Sequence, residues 1–489
     1  MQTIYRIVDE LIDYAQKNLG LDARNEVYAR NAVLNALGIS SYGEKSDAVS
    51  SALTPEDILL RLKNECVSHK IFEESDAAAR LDAVMGALSY SPAEVDVVFN
   101  DMAKKSTATA TEWLYDYCVK NDYVKKSQLD KNPRFDTSNG LTITINKAKP
   151  EFRDPKKAAA GNSVAGGYPK CAICRENEGY CGRNKRTLRT VSIKLNGKNW
   201  FWQFSPYGYF YQHGIAVNCE HTPMRIDKTA LENLIDFADK FPHYFIGCNA
   251  PLPRIGGSVL AHDHYQGGGE VLPLHKAKIK KYIKDSKYPY LRVGVLDWPG
   301  TVIRVISDKR NEVVEVSERI RAAWEVYDAP ELGIISKDES GLHNAISPTV
   351  IKSPHGYEMN VILRSNATSD EYPDGIFHAH PEFHVIKKES IGLIEAQGLF
   401  ILPGRLEEEL AEIERLIVDK KPLPPEYAAF KLVYDETFIL YKSGKFKDIS
   451  AAMREELGSI CYRILENTAV FKHEKDLYAF LTKAGFEIG

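Results

Sequence analysis

Residues 256–269 constrain the fold of this chain more than any other segment, because polar side chains alternate there between two glycine clusters. The run reads GGSVLAHDHYQGGG and spaces His262, His264 and Gln266 two residues apart. Successive side chains of an extended strand point to opposite faces, so these three side chains are predicted to share one face, opposite Asp263 and Tyr265. The segment therefore predicts a strand that presents a row of chemically active side chains.

These residue types suit phosphoryl chemistry. A neutral imidazole can attack phosphorus near neutral pH, because its pKa leaves one ring nitrogen unprotonated, and His264 fits that role. The amide of Gln266 can donate to a phosphate oxygen, and Gly256 and Gly257 allow backbone N–H groups to approach the same anion. A strand end or a structural metal site is the alternative for a His-x-His pair alone, but the glutamine and the glycines favour phosphoryl transfer.

The segment resembles the active-site segment of the galactose-1-phosphate uridylyltransferases, a branch of the histidine-triad superfamily. Residues 242–268 and 375–396 resemble the bacterial type II form of that enzyme. The resemblance implies that His264 carries the uridylyl group covalently, that Gln266 contacts its phosphate and that Ser258 lies beside the same phosphate. The remaining residues expected on the nucleotide side of the site are Gly256, Gly257, Asn249, Arg183 and Arg186.

The two arginines belong to a basic run at 183–189 that is followed by aromatic residues at 200–210. Arginines can pair with phosphate oxygens and an aromatic wall can stack on a base. The alternative is a basic surface loop followed by a buried aromatic strand, which is the more common outcome for any single residue of such a run.

A Cys171-x-x-Cys174 turn predicts a metal site, although structural zinc needs two further ligands. The resemblance implies that His221 and His262 complete a zinc site, in which His262 orients the strand that carries His264. A metal-free pair of thiols is the alternative. Eight cysteines in a chain of 489 residues are too sparse for a disulfide scaffold.

A second histidine cluster lies at 377–384. By resemblance, His378 and His380 with His343 form a second structural metal site, and plain hydrogen-bonded histidines are an equal alternative because no fourth ligand is evident. The resemblance also assigns Glu395 and Gln397 to the hexose hydroxyls of a neighbouring subunit's substrate, which implies a homodimer.

The pattern along the chain predicts an α+β fold. Residues 1–138 carry helical stripes and capped helix starts, such as Ser91-Pro92, and predict a helical N-terminal region. Residues 139–290, with the nucleophile and nucleotide site, and residues 291–489, with the His378 cluster and C-terminal helices, mix strand and helix signals. The resemblance implies that these are two histidine-triad-like halves around an antiparallel sheet.

Net charge −4 and an isoelectric point near 6.4 argue against a nucleic-acid binder with a broad basic field. No apolar run reaches membrane-spanning length and the N-terminus lacks a signal-peptide core, so a cytoplasmic protein is expected.

The resemblance implies double displacement through a uridylyl-histidine, with UDP-glucose, UDP-galactose and hexose 1-phosphates as partners and no organic cofactor. A histidine-triad nucleotide hydrolase or phosphorylase and a non-enzymatic zinc module are the alternatives.

Overall fold

A computed structural model describes residues 1–47, 49–148, 167–257 and 259–488. The chain divides into two compact units, each assembled from separate stretches of sequence. The first unit contains Met1–Gln128, Val164–Gly208 and Gln212–His221, and the second contains Leu129–Ser163, Tyr209–Tyr211 and Thr222–Gly489. No helix among the described residues is long and apolar enough to cross a membrane.

The described helices, numbered along the chain, are α1 Gln2–Asn18, α2 Glu26–Leu37, α3 Glu56–Ser68, α4 Ala77–Leu88, α5 Pro92–Ala103, α6 Thr107–Lys120, α7 Lys126–Leu129, α8 Lys228–Lys240, α9 Pro273–Lys276, α10 Arg310–Glu325, α11 Leu393–Ala396, α12 Leu406–Val418, α13 Lys431–Lys442, α14 Ile449–Thr468 and α15 Glu474–Lys483. The described strands are β1 Arg134–Asp136, β2 Thr142–Asn146, β3 Val191–Leu195, β4 Lys198–Phe204, β5 Gly214–Asn218, β6 Phe245–Gly247, β7 His264–Gly268, β8 Ile279–Asp285, β9 Arg292–Leu296, β10 Val302–Ser307, β11 Lys337–Asp338, β12 Gly341–Leu342, β13 Asn344–Ser353, β14 Gly356–Ser365, β15 Leu399–Pro403 and β16 Phe486–Glu487.

The helices of the first unit form where the sequence predicts them. The apolar stripe of α1 is buried, and α5 begins with the predicted capping box, in which Ser91 accepts from the backbone N–H of Glu94 and Glu94 accepts in return. Helix α3 begins at Glu56, and Pro55 is its N-cap. The helical prediction for this region is confirmed.

The same unit contains the antiparallel strands β3, β4 and β5. Asn196 and Gly197 form the two-residue turn between β3 and β4, and both have positive φ, as a primed hairpin turn requires. Trp200, Phe201 and Trp202 of β4 are fully buried, so the aromatic run forms the buried strand that the sequence left as one of its two interpretations.

Within the second unit, eight of the described strands follow one another in the order β16-β8-β9-β10-β14-β13-β6-β7, and the neighbouring pairs are antiparallel. Helices α8 and α10 contact strands of this sheet. A smaller sheet of β1, β2 and β15 includes one parallel pair, and its apolar face packs in a core with α12, α13 and α14. The α+β prediction with a large antiparallel sheet is confirmed, whereas the division at 138 and 290 stays a prediction.

We expect the stability of this helical core to depend on pH through Glu456 of α14. Burial and the neighbouring Glu436 carboxylate raise the pKa of Glu456 from 4.5 to about 8, against the effect of Arg463. The folded protein therefore holds a proton that the unfolded chain releases, so this contribution to stability is present below pH 4.5 and is lost as the pH rises towards 8. Urea unfolding of Glu456→Gln should show a flatter pH dependence than wild type, whereas Glu466→Gln, exposed on the same helix, should match wild type.

Candidate active site

Strand β7 presents the predicted nucleophile. It begins at His264, two residues later than the sequence predicts, and Gly267 and Gly268 lie inside the strand rather than after it. The residues before it are held by main-chain bonds, since the Asp263 N–H donates to the Thr222 carbonyl at 2.7 Å. Within β7 the alternation holds, because Tyr265 faces helix α8, where its hydroxyl accepts from Asn233 at 3.0 Å. His264 and Gln266 therefore share the opposite face.

The hydrogen bonding of His264 sets its tautomer. Its Nδ1 lies 2.8 Å from the carbonyl oxygen of His262, and a carbonyl can only accept, so Nδ1 carries the proton. Burial lowers the pKa of His264, and the bond to the His262 carbonyl acts in the opposite direction. The neutral ring consequently has an unprotonated Nε2, which is the atom a nucleophilic histidine needs.

The predicted glycines lie where backbone segments approach closely. A Cβ on Gly256 would lie 2.2 Å from the carbonyl oxygen of Ala250, and one on Gly257 would lie 2.8 Å from the side-chain amide nitrogen of Asn249. Asn249 also accepts a hydrogen bond from the backbone N–H of Leu393 at 2.7 Å. The buried Asn249 side chain thus links this glycine segment to helix α11. Ser258 lies outside the described residues.

Substitution of Gly267 by alanine should destabilise the strand that carries His264. An added Cβ would meet the Phe245 carbonyl oxygen of β6 at 2.1 Å, and a backbone oxygen cannot move away without disturbing the pairing of β6 and β7. We expect a loss of about 3 kcal/mol or more in the free energy of unfolding, measured by chemical denaturation. Gly300→Ala is the control, because its Cβ would meet ordinary contacts from 3.5 Å outwards; equal stability of the two variants would contradict the steric account.

The C-x-x-C turn brings metal-ligand atoms together. The Sγ atoms of Cys171 and Cys174 are 3.3 Å apart, and Cys174 Sγ lies 3.1 Å from Nδ1 of His221. His221 precedes Thr222, whose carbonyl binds Asp263, so chain connectivity alone keeps His221 near His262. One ligand atom from each of these four residues lies within 4.8 Å of the others.

The donor set fits a zinc ion. Two cysteine sulfurs and two imidazole nitrogens are the ligand types that closed structural zinc sites use. Burial and the adjacent Cys171 raise the pKa of Cys174 to about 12, so a bound cation would be needed to keep the Cys174 sulfur ionised near neutral pH. The protein thus contains a candidate metal-binding group of the predicted composition.

Two residues support this turn in a way that the sequence did not predict. The fully buried Asn177 donates to the carbonyls of Cys171 and Cys174 at 2.8 and 2.9 Å. Lys185 donates to the Ala172 carbonyl at 3.1 Å, and burial lowers the pKa of this lysine to about 8. The asparagine three residues after a C-x-x-C turn is a local signal that could have been read, whereas the lysine is located only by the fold of the loop.

The two arginines expected near the nucleotide lie in the first unit. Arg183 ends a short 3-10 turn. The guanidinium of Arg186 pairs with Asp82 of α4, with Nη1 and the carboxylate oxygen 3.3 Å apart. Their assignment to a substrate stays a prediction.

The second histidine cluster does not converge on one point. His343 bonds to Asn366 at 2.7 Å and to Asp338 at 2.9 Å. His378 and His380 each bond to a backbone carbonyl, of Ala379 and Ile376 respectively. In the described part of the chain, these three residues do not form a metal-ligand group. The structure therefore favours hydrogen-bonded histidines over a second metal site.

Glu395 and Gln397 are buried and have partners within the second unit. Glu395 accepts from Lys387 at 2.7 Å and from the backbone N–H of Gly392 at 2.9 Å. Gln397 accepts from the Thr349 hydroxyl at 3.0 Å. Sequence reasoning missed the buried Lys387 as a partner. A role of these two residues towards a neighbouring subunit's substrate stays a prediction.

Comparison with known proteins identifies the family. The models described as "Galactose-1-phosphate uridyl transferase", N-terminal and C-terminal domains, match residues 21–223 and 236–427. A galactose-1-phosphate uridylyltransferase of Bifidobacterium longum is 50% identical over 506 residues, covering 99% of this chain and 98% of that protein. A protein of the same name from Lactococcus lactis is 35% identical over 502 residues, covering 98% and 99%.

Among solved structures, yeast Ap4A phosphorylase Apa2 matches 60% of this chain and 85% of its own with a TM-score of 0.32 and 14% identity, too distant a likeness to carry an argument. The family models and the relatives span nearly the whole chain. The chain therefore belongs to the galactose-1-phosphate uridyl transferase family.

Proposed function

We propose that the chain transfers a uridylyl group between UDP-glucose and galactose 1-phosphate, giving glucose 1-phosphate and UDP-galactose. Family membership over nearly the full length supports this reaction. The observation that carries the mechanism is the hydrogen bond from His264 Nδ1 to the His262 carbonyl, because it leaves Nε2 as an unprotonated nucleophile.

The reaction has two displacements at one phosphorus atom. His264 Nε2 attacks the α-phosphorus of UDP-glucose, a P–N bond forms, and the P–O bond to glucose 1-phosphate breaks. A phosphate oxygen of galactose 1-phosphate then attacks the same phosphorus, and the P–N bond breaks. Both leaving groups are stable without an added proton. A general acid that protonates the leaving group is therefore not required here.

An exchange assay tests this reaction. The purified protein mixed with UDP-glucose and galactose 1-phosphate should form UDP-galactose and glucose 1-phosphate in equal amounts. Release of UMP from UDP-glucose at a comparable rate without any acceptor would instead favour the nucleotide hydrolase alternative.

Gln266 is proposed to stabilise the transferred phosphoryl group. It follows His264 by two residues in β7, and its amide can donate to a phosphate oxygen without adding charge. Loss of one donor aimed at developing charge costs on the order of 100-fold in rate. We therefore expect Gln266→Ala to slow single-turnover uridylylation by about that factor, with the adduct still formed. Gln203→Ala, a buried glutamine on β4, controls for general disturbance, and a wild-type rate in Gln266→Ala would exclude the role.

Zinc is the metal proposed for the four-residue group. Cys171, Cys174, His221 and His262 supply the sulfur and nitrogen ligands that zinc prefers in closed structural sites. When bound, zinc would supply structural cross-linking of the segments that flank His264. Orientation of the His262 backbone matters for catalysis, because its carbonyl holds the nucleophile's tautomer. A homodimer and a cytoplasmic location remain part of the proposal on sequence grounds alone.

A further inference from the structure

A polar cleft of about 530 Å³ opens on the second unit and shares no lining residue with the candidate active site. Its walls are formed by the β1–β2 hairpin around its turn, by helix α9 and the two residues that follow it, by the turn between β9 and β10, and by one side chain of α14. Sites for small molecules commonly have volumes of about 300–1,000 Å³. The cleft is therefore large enough for a monosaccharide phosphate.

Two cations of this cleft lack partners. Lys276 and Lys278 are exposed, and within the described residues neither ammonium has a carboxylate within salt-bridge distance, unlike Lys280, which pairs with Glu474 at 2.5 Å. A lysine ammonium is a point charge that suits a phosphate group. The pair can therefore accept an anionic ligand without first breaking an ion pair.

The backbone that carries these lysines is held by hydrogen bonds from β10 and from the residue that follows β9. The buried Arg304 of β10 donates to the carbonyl of Leu274 at 2.7 Å and to that of Ala277 at 3.0 Å, on either side of Lys276. The Asp297 N–H donates to the Lys278 carbonyl at 2.8 Å. The backbone of the cationic wall is thus held in place before any ligand binds, so that only the lysine side chains need to be ordered on binding.

The rest of the lining suits a sugar. Asp136, Asn139 and Asp297 offer carboxylate and amide groups for hydroxyls. Trp298 and Tyr462 offer aromatic surface for the C–H face of a pyranose ring. Trp298 is held by its indole N–H, which donates to the Ala396 carbonyl at 3.2 Å, and Asn139 by its bond to the Gly458 carbonyl at 2.8 Å.

We propose that this cleft is a second, noncatalytic binding site for a hexose monophosphate, with Lys276 and Lys278 on the phosphate and Trp298 against the sugar ring. The Trp298 bond to Ala396 connects the cleft directly to helix α11, which contains Glu395. The inference rests on the cleft's own residues and does not depend on the proposed uridylyl transfer.

Isothermal titration of the full-length protein with glucose 6-phosphate tests the proposal. Wild type should bind it saturably, and Lys276→Ala/Lys278→Ala should lose at least about tenfold in affinity, whereas Lys284→Ala, exposed on β8, should match wild type. His264→Ala should retain wild-type affinity, because the cleft is separate from the nucleophile. Thermal melting of each variant establishes that it is folded.

Two ligand fragments sharpen the result. Inorganic phosphate and glucose should each bind at least about tenfold more weakly than glucose 6-phosphate. Phosphate can contact only the lysines, and glucose can contact only the residues proposed to bind the sugar. Equal affinity for inorganic phosphate would reduce the cleft to a charged surface and overturn the proposal. Full affinity in the double lysine variant, loss of binding in His264→Ala, or no saturable binding in wild type would overturn it as well.

Discussion

His264→Ala should abolish uridylyl exchange, with a loss of more than about 10⁴-fold in kcat/KM, because removal of a covalent nucleophile eliminates both half-reactions. Tyr265 faces α8 on the other side of the strand, so it cannot take over the attack. The loss should appear equally in the rate of adduct formation and in the overall exchange. Exchange is measured by formation of UDP-galactose in the presence of both substrates.

The matched control is His355→Ala, an exposed histidine in the turn between β13 and β14. This variant should retain wild-type exchange. The melting temperature of His264→Ala should stay close to that of wild type, so that the loss is assigned to chemistry. Exchange within about tenfold of wild type in a pure His264→Ala preparation would refute the assignment of the nucleophile.

Loss of the metal should be the largest effect on stability. Cys171 and Cys174 are buried with their Sγ atoms 3.3 Å apart, and structural zinc can contribute on the order of 10 kcal/mol to folding. We expect the purified protein to contain about one zinc per chain, and Cys171→Ser to lose the zinc together with several kcal/mol of unfolding free energy. Elemental analysis and thermal melting measure the two quantities.

Cys181→Ser is the matched control, since Cys181 is exposed and lies ten residues further along the same loop region. It should keep both the metal and the wild-type melting temperature. Wild-type protein purified without chelators and free of stoichiometric metal would contradict the zinc proposal. The cysteine pair would then be a packing feature, and the uridylyl-transfer mechanism would still stand on His264.

Local patterns predicted the helices, because helix stripes and the Ser91 capping box depend on neighbouring residues only. The start of β7 was misplaced because residues 260–262 form a turn and a bend before the strand, and the bond that follows, from the Asp263 N–H to the distant Thr222 carbonyl, is a contact that no local pattern encodes. The Cys171, Cys174, His221 and His262 grouping followed from resemblance.

The supporting residues could not be predicted in the same way. Lys185, Lys387 and Arg304 act through carbonyls or carboxylates that are distant in sequence or defined only by loop geometry. For the His378 cluster, the structure favours hydrogen-bonded histidines, one of the two alternatives that the sequence left open. The two-residue spacing of His378 and His380 does not encode their separate partners, because His378 bonds to the Ala379 carbonyl and His380 to the Ile376 carbonyl.

The central claim is that His264 Nε2 becomes covalently uridylylated, and intact-protein mass spectrometry of the enzyme mixed with UDP-glucose alone tests it most directly. The account predicts a mass increase of one uridylyl group per chain, located on His264 by peptide mapping and removed by added galactose 1-phosphate with release of UDP-galactose. An unmodified chain that still forms UDP-galactose when both substrates are present, or a uridylyl group on any other residue, would contradict it.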